Sequence, residues 1–159
     1  MPNRPLDRID RGILEHLQSD GRLTNQDLAE RVALSPSPCL RRVRALEESG
    51  VIRRYVALLD PVKVGLGLLA YVTVKLEKKG KMPVEQFTRS AQSWPEVVAC
   101  YSMTGDMDYL MRVQVADLDH YSRFIMDKLL KQPGVIDIKS NFVLERIKDT
   151  TALPLEQLP

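Results

Sequence analysis

The chain has 159 residues, of which 44% are hydrophobic and 28% charged, a balance that supports ordinary buried cores and excludes a disordered protein. Its formal net charge is only +2, which excludes a uniformly basic coat on nucleic acid, so any DNA affinity must come from local clustering. Cys39, Cys100, His16 and His120 show no metal-ligand spacing or disulfide framework, no signal segment opens the chain, and no apolar run nears the ~20 residues that span a bilayer. The expected setting is the reduced cytoplasm, in association with the nucleoid, with no membrane partner, no metal and no cofactor.

From about Asp7 to Ser19, the residues Leu6, Ile9, Ile13, Leu14 and Leu17 form an apolar stripe at helical spacing, closed by Asp20-Gly21. A second helix starts at Thr24, whose hydroxyl caps it while Asp27 sets negative charge against the positive end of the dipole; Leu28 and Val32 follow one turn apart. Ala33-Leu34 makes a turn that buries an apolar side chain, and Ser35-Pro36 supplies a hydroxyl cap followed by proline at the first helical position. On the third helix Cys39, Leu40, Val43, Leu46 and Glu47 fall on one side, and Ser37, Pro38, Arg41, Arg44 and Ala45 on the other. Ser49-Gly50 ends it. Val51 to Leu59, rich in β-branched and aliphatic residues, is expected to form a short hairpin or wing carrying Arg53 and Arg54.

Residues 1–60 thus read as a winged helix-turn-helix unit whose third helix enters the major groove of double-stranded DNA. All ten basic residues in this stretch are arginine, whose planar fork matches a guanine edge. Arg41 is the leading base contact, with Ser35, Ser37 and Pro38 beside it. Arg42, Arg44, Arg53 and Arg54 are candidates to hold phosphate, as are the backbone amides from Ser35 to Ser37. A plainer reading stands beside this one, in which the arginines are solvated or paired with Asp27, Glu30, Glu47 and Glu48.

After a linker over 61–68 the rhythm changes. From Leu69 to Leu76 the chain alternates as a strand, with Tyr71 and Thr73 on one side and Val72, Val74 and Leu76 on the other, until Lys78-Lys79-Gly80 breaks it. Pro83 opens a helix with Val84, Phe87, Ala91 and Trp94 along one stripe, and Val97 to Thr104 is a second strand. The turn Gly105-Asp106-Met107-Asp108 leads to a third strand from Tyr109 to Val115. Asp117 caps a helix that turns Leu118, Tyr121, Phe124, Ile125 and Leu129 to a core, Gln132-Pro133-Gly134 ends it, and Val135 to Leu144 is a fourth strand with Ile136, Ile138, Phe142 and Leu144 on one face. The order βαββαβ predicts a ferredoxin-like domain over 69–147, followed by a tail at 148–159, and makes the whole chain α+β. Such a sheet leaves one face without helices, and a partner subunit is its natural cover.

Two separated segments carry a family resemblance. Leu34-Ser35-Pro36-Ser37-Pro38-Cys39-Leu40-Arg41-Arg42-Val43 with Gly50-Val51-Ile52, and then Thr104-Gly105-Asp106-Met107-Asp108-Tyr109-Leu110, resemble the Lrp/AsnC family of leucine-responsive and related regulators over nearly the whole chain. The resemblance implies a transcriptional regulator with no catalytic residues, a homodimer formed through the ferredoxin-like sheet, and an octamer of four dimers. It further implies an amino-acid effector (leucine, methionine or another branched-chain or aliphatic amino acid) held between dimers near the Gly-Asp-x-Asp turn. Met103, Thr104, Gly105, Asp106, Asp108 and Tyr109, with Ser140, Asn141 and Phe142 of the fourth strand, become the effector candidates.

On its own chemistry, the turn offers carboxylate acceptors for an α-amino group and amides for a carboxylate. The same residues also make an ordinary tight connection. Two other function classes remain open to the sequence: an architectural protein that bends DNA without sensing metabolites, and a ferredoxin-like enzyme using Asp106 and Asp108. Against the enzyme, the sequence shows no nucleophile elbow, phosphate-binding glycine loop or metal cluster.

Overall fold

The computed structural model describes residues 5–77 and 82–159, so the expected break at Lys78-Lys79-Gly80 lies outside the described residues. Two compact units emerge, one from Met1–Leu58 with Lys148–Pro159 and the other from Leu59–Ile147.

The first unit holds α1 (Arg8–Ser19), α2 (Asn25–Arg31) and α3 (Pro36–Glu48). Asp7 starts α1 by accepting the amides of Ile9 and Asp10 at 3.0 Å each, while the Asp10 carboxylate takes the Asp7 amide at 3.2 Å. This reciprocal pair satisfies amides that the first helical turn otherwise leaves open. Thr24 caps α2 through the Asp27 amide at 3.1 Å. Between α2 and α3 the chain reverses at Ala33, whose φ of +53° places a non-glycine residue in the left-handed region. Ile13, Leu14, Leu28, Ala29, Cys39 and Leu46 are buried together, with Leu34 packed beside them.

Three expectations need correction here, and the tail adds contacts of its own. Ser35 stands at the start of α3 but its hydroxyl makes no cap bond; a cap reaches the second or third helical amide, and the third position is Pro38, which has none. Leu40 is 38% exposed, because the inward stripe runs through Cys39, Arg42, Val43 and Leu46 and position 40 falls at its edge. Val51 to Leu59 contains no strand: nine residues without a turn-forming residue cannot supply two strands and a reversal. Instead the Ile52 amide donates to the Leu46 carbonyl at 3.0 Å, and the Tyr55 hydroxyl donates to Glu47 Oε1 at 3.0 Å. Finally, the tail packs on the helices. Leu155 and Leu158 join the helical core, Gln18 exchanges two hydrogen bonds with the Leu153 backbone at 2.7 and 3.1 Å, and Arg11 donates to the Leu158 carbonyl at 3.2 Å.

The second unit is a sheet of β1 (Leu68–Leu76), β2 (Val97–Ser102), β3 (Tyr109–Val115) and β4 (Val135–Phe142), in the order β2-β3-β1-β4 with every pairing antiparallel. One face is covered by α4 (Met82–Ser93) and α5 (Leu118–Phe124), the latter running into a π-helical turn at Ile125–Leu129. Ala70, Val72, Val74, Met111, Val113 and Val115 alternate into this core against Phe87, Trp94, Phe124 and Leu129. Each large apolar side chain fully buried there contributes about 1.5–3 kcal/mol. Val84 and Leu118, expected inside, are exposed. A register slip opposite Lys75 and Leu76 brings Val135 and Ile138 inward and leaves Ile136 exposed. The fourth strand ends at Phe142, and Leu144 beyond it is exposed.

Candidate functional site

In the helical unit, Ser37, Arg41 and Arg44 are four and three residues apart on α3 and therefore share one face, and all three are exposed. Ser35 is exposed and Pro38 half-buried at the same end of the helix. Pro36 and Pro38 have no amide hydrogen, so the first turn of α3 offers a phosphate fewer donors than an ordinary helix start. Arg53 and Arg54 are exposed on the irregular segment after α3.

Arg42 stands apart from the other arginines. Its Nη1 donates to Asp7 Oδ2 at 2.8 Å, Asp7 Oδ1 at 3.0 Å and Asp10 Oδ1 at 2.8 Å, and Asp10 is only 1% exposed. The hydrogen bonds to Asp7 and Asp10 push the guanidinium pKa further above its ordinary value despite partial burial. The expectation that Arg42 holds DNA phosphate thus meets an arginine already engaged inside the unit. A signal was present in the sequence, since position 42 lies on the inward stripe of α3 and two aspartates three residues apart open α1.

In the second unit the turn at 103–108 is closed by the Met103 amide, which donates to the Asp108 carbonyl at 2.8 Å. Gly105 has φ +113°, a conformation that a side chain would strain. Asp106 and Thr104 are exposed. Asp108 is drawn inward, with its amide donating to the Val74 carbonyl at 3.0 Å and its carboxylate accepting the Leu76 amide at 2.7 Å. Tyr109 lies against Phe87 at 4.6 Å between ring centres.

An open depression of about 280 Å³ sits beside this turn, lined by Leu76, Glu77, Val84, Ser102, Met103, Asp108 and Tyr109. It brings together Met103, Asp108 and Tyr109 from the expected set. Leu76, Glu77 and Val84 were missed, because they reach the depression only through pairing of β1 with β3 and placement of α4; Ser102, the last residue of β2 and next to Met103, was missed although the chain places it there directly. Ser140, Asn141 and Phe142 are elsewhere within the chain. They pair with Val72, Tyr71 and Ala70, four to six residues or roughly 13–20 Å along β1 from the Asp108 contact at Leu76. The strand's alternation also splits them. Ser140 bonds the Tyr121 hydroxyl and Phe142 meets the Tyr121 ring edge-on at 5.0 Å on the helix side, whereas Asn141 is opposite Tyr71 on the uncovered face. That uncovered face carries a row of Thr73, Leu110 and Tyr101, flanked by Tyr71 and Arg112.

Among the described residues no helix is long and apolar enough to cross a membrane, and no group of three or more histidine, cysteine or acidic side chains could hold a metal ion.

Comparison with known proteins accounts for both units. Residues 69–153 match the Lrp/AsnC ligand binding domain, and residues 6–53 match a winged helix-turn-helix DNA-binding family. The leucine-responsive regulatory proteins of Salmonella typhimurium and Escherichia coli are each 41% identical over 155 residues, covering 98% of this chain and 94% of theirs. A transcriptional regulator from Neisseria meningitidis, solved as its L-Met complex, superposes with a TM-score of 0.93 at 50% identity, covering 96% of this chain and 98% of its own. An AsnC family transcriptional regulator from Agrobacterium tumefaciens gives 0.90 at 44% identity, covering 96% and 99%.

Proposed function

Because this chain belongs to the Lrp/AsnC family of transcriptional regulators, with both the DNA-binding and the ligand-binding module present, we propose that it reads promoter DNA through Ser37, Arg41 and Arg44 of α3 under the control of an amino acid bound at the second unit. It is a regulator and not an enzyme. The observation that carries the reading is the exposed Ser37–Arg41–Arg44 face on a helix that the rest of its unit holds from behind. Arginine at these positions supplies bidentate base contact, Ser35, Arg53 and Arg54 add phosphate contacts around it, and Pro38 offers only apolar contact.

Methionine and leucine lead as effectors. The L-Met complex of the Neisseria relative and the leucine-responsive relatives support them, as does a depression whose Leu76, Val84 and Met103 suit an aliphatic side chain and whose Ser102 and Glu77 suit an α-amino group. Gly105 shapes the neighbouring turn, and the exposed Asp106 and Thr104 on it close on the ligand. Ser140, Asn141 and Phe142 join only if a second copy brings them to the turn. The uncovered sheet face, with Tyr71, Leu110 and Tyr101, supports pairing of two copies into a dimer, and such dimers assemble into an octamer in the cytoplasm. Ligand acts by binding one assembly better than another.

A thermal-shift screen of all common amino acids, with each hit repeated by sedimentation, tests this directly, because a ligand of the folded state raises its stability. Methionine or leucine raising the melting temperature and changing the sedimentation coefficient is the expected result. Indifference to every amino acid would instead assign the protein to DNA architecture without sensing.

A further inference from the structure

The inward arginine of α3 has a definable job. Arg42 sits between Cys39 and Leu46 on the inward stripe, and both of those neighbours are buried in apolar contact. Apolar packing is non-directional: it holds α3 against the core but permits small sliding and rotation about the helix axis. The contacts of Arg42 are directional. One guanidinium nitrogen reaches three carboxylate oxygens within 3.0 Å, on two residues that form the amino-terminal box of α1.

These carboxylates are themselves fixed. Asp7 Oδ1 also accepts the Ile9 and Asp10 amides, and Asp10 Oδ2 accepts the Asp7 amide, so neither can swing without undoing the start of α1. Asp10 is buried to within 1% of full exclusion, where a carboxylate without its cation is strongly disfavoured. Arg41 precedes Arg42 by one residue and lies about 100° around the helix. Any rotation or slide of α3 that Arg42 resists is one that would move the Arg41 fork relative to a base edge.

We infer that the Asp7–Asp10–Arg42 cluster is a positioning brace that sets the rotation of α3 and thereby the base discrimination delivered by Arg41, and that Arg42 itself makes no DNA contact. The inference rests on the proposed reading of DNA by α3. It separates two roles among adjacent arginines that charge alone makes equivalent.

The test uses the full chain and a DNA sequence enriched by it from a random library, with random duplex as reference. Asp10→Asn/Arg42→Met removes the buried charges together, keeps the Asp7 cap and avoids leaving a lone buried carboxylate. Arg42→Lys keeps the charge but not the fork, and serves if the double variant does not fold. The expected result is a melting temperature that supports folding at the assay temperature and random-duplex affinity and salt dependence unchanged. The ratio of enriched to random affinity should fall about tenfold in the double variant, since a misaligned bidentate contact forfeits most of its discrimination, and by less in Arg42→Lys. An unchanged ratio in the variants that fold overturns the brace. Equal loss on both DNAs, with the salt slope reduced by about one, overturns it in favour of direct phosphate contact. If the unmodified chain enriches no sequence, the underlying DNA-reading proposal fails first, and the brace with it.

Discussion

The carboxylate of Asp108 accepts the backbone amide of Leu76 at 2.7 Å, while the amide of Asp108 donates to the carbonyl of Val74. The residue is therefore stitched twice to the end of β1. Asp106, two positions earlier on the same turn, is exposed. Two aspartates that look alike in sequence consequently differ in place: Asp108 is tied to β1, and Asp106 is exposed on the turn.

Asp106→Ala should abolish or reduce the amino-acid-induced melting shift and leave the ligand-free melting temperature and DNA affinity as they are. Asp108→Ala should lower ligand-free stability by about 1–2 kcal/mol, the cost of leaving a half-buried amide without its charged acceptor. Denaturant unfolding with and without amino acid separates the two. A ligand-free Asp108→Ala protein as stable as the unmodified one refutes the stitch.

Arg41→Ala should cost specific DNA binding ~1–3 kcal/mol and broaden the tolerated base at one position. Arg53→Ala and Arg54→Ala should weaken all duplexes alike and each reduce the salt slope by about one. Affinity measured on a panel of single-base operator variants over a range of salt concentrations checks both patterns.

The two caps of the helix pair should respond differently. Thr24→Ala removes a real acceptor and should cost the helical unit ~1 kcal/mol, whereas Ser35→Ala should change stability by no more than a few tenths. Urea midpoints of the two variants decide it. Equal losses would mean that the Ser35 hydroxyl is used in solution.

Gly134 has φ +81°, and a Cβ there would stand 2.7 Å from the Cβ of Pro83 at the start of α4. Gly134→Ala should therefore destabilise the second unit by at least ~1–2 kcal/mol, the conformational cost alone, with the contact adding to it. A thermal melt near that of the unmodified chain would show that α4 yields freely.

Burial alone raises the Glu96 carboxyl, but the Lys128 ammonium at 2.6 Å, the residue's own amide and His120 together outweigh it and hold the pKa below its ordinary value of 4.5. A depressed carboxylate contributes stability that is complete above its unfolded pKa and is lost as pH falls through the folded one. The second unit should then lose melting temperature as the pH drops below about 4.5, and Glu96→Gln should flatten that part of the profile. An identical acid profile in the variant assigns the loss to other groups.

The secondary structure was largely legible because its signals are local. Asp117 and Thr24 cap their helices as read, and the alternation of β1 from Ala70 to Leu76 matches its burial. What escaped required knowledge of distant partners. Arg42 falls on the inward stripe of α3, but its partners Asp7 and Asp10 lie 35 and 32 residues away in sequence. The depression at the turn needs Leu76 and Val84, each about twenty or more residues from it in sequence, and the tail has no periodicity to announce that Leu155 and Leu158 find a core. The failed hairpin at Val51 to Leu59 shows the converse: β-branched composition without a turn and a partner strand does not make a sheet.

The tail also fixes an order of assembly during synthesis. Hydrogen bonds from Gln18 to Leu153 and from Arg11 to Leu158 span 135 and 147 residues, so the tail contacts of the helical unit cannot form until the whole intervening sheet domain has been synthesised. The nascent sheet domain, whose own residues end at Ile147, is free to fold before the tail arrives. The last contacts of the first unit to form are thus those made by the last residues of the chain to be synthesised.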